Sequence, residues 1–203
     1  MIRGKYSQSG EEFSIVHILS KITNGENFLV DLGAGDGYSL SNSRFLLENG
    51  YSGILIDGNN RSNHEVHQCW ITSSNICSLL SKYGCPIDFD LLSIDLDGND
   101  LYILEAIVKQ YHPRLIVAEF NAEIDGSFVI EYNDQHVWAQ DDYFGFTFKA
   151  AEKWAERHEY FIAHQIDNVN LFMIRSDLKE AYFKISYGQT HRFKPSGKKL
   201  KHY

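Results

Sequence analysis

The chain has 203 residues, 43% hydrophobic and 23% charged, with a formal net charge of −8. That size suits one domain with a substantial core, and that charge excludes a broad basic face for nucleic acid. No apolar run approaches the roughly 20 residues of a membrane-spanning helix, and the opening "MIRGKYSQSGEE" lacks the apolar stretch of a secretory signal, so a cytoplasmic protein with no membrane span is expected. Three cysteines, Cys69, Cys77 and Cys85, form no CxxC pair and read as idle thiols of a reducing compartment, with no zinc site. Residues 1–190 are expected to be the single domain. The basic "HRFKPSGKKLKHY" at 191–203 is expected to be a flexible, solvated tail.

In chain order, "EEFSIVHILSKI" at 11–22 spaces Phe13, Val16, Leu19 and Ile22 three apart, with Ile15 and Ile18 beside them, which predicts a helix. "NFLVDL" predicts a buried strand leading into glycines, and "SNSRFLLEN" at 41–49 a helix stopped by Gly50. "GILID" at 53–57 is a second strand and "HEVHQCWI" at 64–71 a weaker third. "FDLLSID" at 89–95 is a fourth strand, followed by a helix at 100–111 that Pro113 ends, and "RLIVAEF" at 114–120 is a fifth. A long irregular stretch precedes a helix at 147–159 with Ala150, Ala151, Trp154 and Ala155 on one side. Two strands at 160–166 and 169–175, separated by "DN", predict a hairpin.

Strands alternating with helices imply a mostly parallel sheet covered on both faces, with an antiparallel strand added by the hairpin. Ligands of such sheets bind beyond the carboxyl ends of the strands. Asp31, Asp57, Asp95 and Glu119 each close a predicted strand. After the first strand comes G-x-G-x-G, at Gly33, Gly35 and Gly37, with Asp31 and Asp36 beside it. Glycine lets a ligand approach the backbone, but two carboxylates would repel a pyrophosphate. A cationic or neutral nucleoside fits better, and S-adenosylmethionine, with its sulfonium, amine and bare ribose, has that character. Asp57 stands where an acid accepts both ribose hydroxyls.

The motifs "YSQSGEE", "DLGAGDGYSLSNSRFLLENGYSGILID" and "FDLLSIDLDGNDLYILEAI" resemble FkbM-type S-adenosylmethionine-dependent methyltransferases, over about residues 6 to 175. The glycine loop alone points to the wider class I superfamily. The resemblance implies a Rossmann-like sheet of seven strands in the order 3-2-1-4-5-7-6. It implies that Gly33, Ala34, Gly35 and Asp36 line the cofactor, that Asp57 holds its ribose and that Gln8 reaches its methionine end. Many members carry an "IDVEGAE"-like fourth strand where this chain has "IDLDGND". The family is associated mainly with O-methylation, of sugars and polyketides among other acceptors.

Methyl transfer is an in-line displacement at the sulfonium methyl, so the protein positions a nucleophile and removes its proton. Asp95 and Glu119, on adjacent strand ends, are candidate catalytic residues, and Asp95 also faces the cofactor. With Asn121 they form an oxygen-rich set suited to Mg²⁺ or Mn²⁺, resembling the metal site of catechol-type O-methyltransferases. Asp97 and Asp100 stand beside Asp95 as further carboxylates of the site, or serve only as a turn and a helix cap. The loop at 121–148 is longer than a plain connection needs and rich in rings, among them Tyr132, Trp138 and Tyr143, with His136 a candidate general base. Rings and carboxylates together suit a sugar. The sequence therefore points to O-methylation of a sugar or glycan hydroxyl, aided either by a divalent ion or, without one, by an acid pair of which one member stays protonated. N-methylation of a small amine and a catalytically silent nucleoside-binding module are the alternatives.

Overall fold

The computed structural model describes residues 5–22, 24–59 and 63–184. The basic segment at 191–203 and the proposed boundary at 190 lie outside the described residues. Seven strands form one sheet: β1 (Phe28–Leu32), β2 (Ser52–Asp57), β3 (Val66–Gln68), β4 (Asp88–Ile94), β5 (His112–Glu119), β6 (Tyr160–Ile166) and β7 (Asn170–Arg175). Their order is β3-β2-β1-β4-β5-β7-β6. β1 to β5 run parallel, and β7 lies antiparallel between β5 and β6. This is the seven-stranded Rossmann-like sheet, in the strand order that the resemblance implied.

Alternate side chains along each strand leave the sheet on opposite faces, and both faces are covered. Val30, Leu32, Leu92, Ile94, Ile116 and Ala118 pack on one side against three helices, α3 (Ile76–Lys82), α4 (Asp100–Ile107) and α5 (Phe148–Arg157). Leu29, Leu91, Leu115 and Val117 pack on the other, against α1 (Glu11–Lys21), α2 (Arg44–Glu48) and the flank of α6 (Lys179–Phe183). Burial on both faces explains why the strands read as near-continuous apolar runs.

Three expectations shift in detail. The inner face of α1 is Ile15, Ile18, Leu19 and Ile22, whereas Phe13 and Val16 are exposed. Spacing of three drifts around a helix of 3.6 residues per turn, while i, i+3, i+4, i+7 stays on one face. α4 ends at Ile107, and β5 already begins at His112, carrying Pro113 near its start. α3 was absent from the sequence reading, although Asn75 Oδ1 accepts from the Thr72 N–H at 2.9 Å and Thr72 Oγ1 from the Asn75 N–H at 3.2 Å. That reciprocal start, with Ile76, Leu79, Leu80 and Tyr83 at helical spacing, is the signal that was available. The predicted hairpin is present: Asp167 and Asn168 both have positive φ, 47° and 56°, as the tight turns favoured between antiparallel strands require.

Candidate functional site

The strand order reverses between β1 and β4, so a crevice opens beyond their carboxyl ends. The glycine loop forms its floor. Gly33 and Ala34 donate their N–H groups to the Ile56 carbonyl at 2.9 and 3.2 Å, tying the loop to β2. Gly33 has φ +82°, and any side chain there would collide with the main-chain carbonyl of Asp95. Gly35 has φ +57° with nothing within 4 Å of where its side chain would sit, so its backbone faces open space. Asp57, 6% exposed, accepts from the Gly35 N–H at 2.8 Å and the Asn59 N–H at 2.7 Å. The loop and the acid closing β2 are therefore held as one piece.

Two cavities meet at Gly33. One, of about 220 Å³, lies toward β2 and β3 and is lined by Asp57, Gly58, Trp70, Leu96, His136 and Trp138, among others. The other, of about 280 Å³, is acidic, with Asp31, Ala34, Gly35, Asp36, Asn42 and Asp95 in its wall. The first suits the apolar faces and edges of a base. The second suits a cationic, hydrogen-bonding group. Asp31 is buried at its base and accepts from Ser43 Oγ; burial pushes its carboxyl up to about 6. Asp36 accepts from the N–H groups of Tyr38 and Ser39 at 2.8 and 2.6 Å, and so also shapes the loop.

Asp95 and Glu119 do come together, and the third carboxylate beside them is Asp97. One oxygen from each of the three lies within 4.8 Å of the others. Asp95 can be reached by solvent from the crevice, yet protein surrounds most of its carboxyl. Burial, then repulsion from Asp100 and Asp97, raises Asp95, and burial with repulsion from Asp95 raises Glu119 further. Hydrogen-bonded to each other, both carboxyls are held toward their protonated forms. Asp100 is different: it is buried and accepts from the Leu96 and Gly98 N–H groups at 2.8 and 2.9 Å. It shapes the turn entering α4, as one of its two sequence readings has it.

Asn121 is not disposed as a metal ligand with Asp95 and Glu119. Its amide nitrogen donates to the carbonyls of Asp142 and Phe144 at 2.8 and 3.1 Å, and its Oδ1 accepts from the Glu123 N–H at 3.0 Å. This 2% exposed side chain staples the long loop closed. His136 lies at the edge of the carboxylate cluster, on the Asp97 side, where burial raises the Asp97 carboxyl and His136 acts against that larger effect to lower it. Its Nε2 lies 3.2 Å from the Asp97 carbonyl oxygen, and the ring lines the base-sized cavity. Gln8 is exposed on the segment before α1, whose backbone is gathered by Glu12: that buried carboxylate accepts from the N–H groups of Lys5, Tyr6 and Ser7.

Comparison with known proteins shows no family. No family model matches the chain, and no curated protein matches it. Among solved structures it is similar to a Burkholderia thailandensis 1,6-didemethyltoxoflavin-N1-methyltransferase with bound 1,6-didemethyltoxoflavin and S-adenosylhomocysteine, at 11% identity and TM-score 0.49, over 87% of this chain and 94% of that one. It is similar to magnesium protoporphyrin IX methyltransferase from Synechocystis PCC 6803 with bound S-adenosylhomocysteine, at 10% identity and TM-score 0.46, over 82% of each chain. A third is M. capricolum TrmK in complex with S-adenosylhomocysteine, at 16% identity and TM-score 0.44, over 80% of this chain and 68% of that one.

The loop between β5 and α5 supplies what the sequence left unassigned. Phe128, Val129, Ile130, Tyr143 and Phe144 line an apolar hollow of about 320 Å³ that also touches Asn121, two residues beyond Glu119. Trp70, Asn42 and Ser93 line the crevices without having been singled out. Their signal was positional: each stands at or just beyond a strand or loop on the carboxyl edge of the sheet. Among the described residues no helix is long and apolar enough to cross a membrane.

Proposed function

We propose that the chain is an S-adenosylmethionine-dependent methyltransferase of the FkbM-like kind, acting on a hydroxyl of a sugar or glycan. One observation carries this reading: the open glycine loop is locked to Asp57 through the Gly35 N–H, between a base-sized cavity and an acidic one. Asp57 would take the ribose hydroxyls, and the acidic cavity the ammonium and sulfonium of the methionine end. A pyrophosphate placed there would face Asp31, Asp36, Asp57 and Asp95.

The Asp95–Glu119 pair lies beyond the strands next to that cavity. Its ionised member would take the proton of an acceptor hydroxyl as the methyl is transferred, while the protonated member donates a hydrogen bond that orients the acceptor. Asp95, Asp97 and Glu119 also offer oxygen donors that fit a divalent ion. Such an ion would supply acidification of the acceptor hydroxyl. The apolar hollow, with Asp142 at its edge, offers ring faces and a carboxylate to a sugar. N-methylation of an amine is the second reading, favoured by the same three carboxylates, which would hold an ammonium.

The test is methyl transfer to a panel of sugar and amine acceptors by wild type, Asp95→Asn and Glu119→Gln, with and without EDTA. Turnover should drop by at least about a hundredfold in both variants, with S-adenosylhomocysteine binding retained. Loss of wild-type activity on chelation, restored by Mg²⁺ or Mn²⁺, supports the ion. Activity that survives chelation removes it, and near-wild-type turnover by both variants removes the pair.

A further inference from the structure

The loop that leaves β5 does not stay above that strand. Between Tyr132 and Trp138 it crosses the end of β4 and reaches the segment after β3, and polar contacts fasten it along the way. Asn99 Nδ2 donates to the Asn133 carbonyl at 2.7 Å, and the Asn133 N–H returns to Asn99 Oδ1 at 3.2 Å. The Tyr132 hydroxyl accepts from the Ser73 N–H and Oγ at 3.0 and 2.8 Å and donates to Asp134. The Trp70 indole N–H donates to the Asp134 carbonyl at 2.5 Å. His136 closes the far side against the Asp97 carbonyl.

Two glycines make room for this path. A side chain at Gly98 would collide with the His136 ring, and one at Gly58 would press on the face of Trp70. Neither has a positive φ, so bare space, and not backbone conformation, is what glycine supplies at each. His136, Val137 and Trp138 end up in the wall of the base-sized cavity, opposite Asp57 and Gly58. A connection serving only to join β5 to α5 has no need of this detour.

We propose that residues 132–138 are a roof over the nucleobase end of the cofactor crevice, and that His136 and Trp138 are cofactor-binding residues on it. The proposal rests on the cofactor reading above. It reassigns His136 from proton transfer to retention of the nucleoside. The hollow at Phe128–Ile130 and Tyr143–Phe144 belongs to the same loop, so one segment of chain would meet both the cofactor and the acceptor.

The experiment is stopped-flow release of S-adenosylhomocysteine from the full chain, followed by intrinsic fluorescence. Trp70 and Trp138 line the cavity and the third tryptophan, Trp154, is in the core, so the signal reports the roof. Gly98→Ala should wedge the roof from below and Tyr132→Phe should free one anchor, each speeding release about tenfold. In a His136→Ala background, Gly98→Ala should add nothing, because the ring it would strike is gone. Release at the wild-type rate from both Gly98→Ala and Tyr132→Phe, with wild type binding the ligand normally, overturns the roof and leaves the cofactor reading standing. Failure of wild type to bind S-adenosylhomocysteine overturns the cofactor reading, and the roof with it.

Discussion

Asp31 and Asp57 both end strands inside the crevice, yet their surroundings set them different tasks. Asp57 is paid for by two backbone N–H groups and, in the proposed reading, takes the ribose hydroxyls. Asp57→Ala should weaken S-adenosylmethionine binding by about 1–3 kcal/mol, the usual size of a lost hydrogen bond to a charged group, as a titration against wild type will show. Asp31 has been pushed up to about 6 by burial. Its folded-state affinity for a proton exceeds that of the unfolded chain, so its contribution to stability is complete below about pH 4 and is lost as pH rises through about 6. The difference corresponds to about 3 kcal/mol. Asp31→Asn keeps an oxygen for the Ser43 hydroxyl and carries no charge. Urea unfolding should find it more stable than wild type at pH 8, with the advantage fading toward pH 4; an advantage that is the same at both would contradict the assignment.

The glycine loop, α3 and the long loop after β5 show what an element can and cannot disclose in sequence. The loop after β1 was readable because three glycines follow an apolar run and an acid, a pattern few other structures need. α3 escaped because its start, Thr72–Asn75, looks like a polar connection until the two side chains are seen capping each other. The long loop was singled out by its length and rings, but its route depends on contacts between residues dozens of positions apart, such as Asn99 with Asn133. Asn121 illustrates the cost of judging by residue type: an oxygen beside two acids suggested a metal ligand, whereas its neighbours turned out to be loop carbonyls. Asn121→Ala should leave those two carbonyls short of a donor and lower stability by about 1–3 kcal/mol in thermal or urea unfolding, with chelation making no difference to the size of the loss.

Across the whole molecule, apolar strands and flanking helices do one job and the carboxyl edge of the sheet does another. The first was legible because a doubly covered parallel sheet imposes buried runs and helical spacing on the chain. β1, β2, β4 and β5 were placed within a few residues by that rule, and the strand order followed from the resemblance. The structure gathers Gly33, Asp57, Asp95 and Glu119 at one edge of the sheet, as their positions at or just after strand ends implied. Placement was not legible where the partner comes from a distant loop, as with His136 lining a cavity beside Asp57. The account rests on the claim that this edge binds a positively charged nucleoside and not a phosphate-bearing one. Calorimetric titration of the full chain with S-adenosylmethionine, NAD and ATP tests it most directly. Micromolar binding of S-adenosylmethionine, about −8 kcal/mol, with no heat from NAD or ATP is the predicted result; clear binding of NAD or ATP with none of S-adenosylmethionine would contradict it.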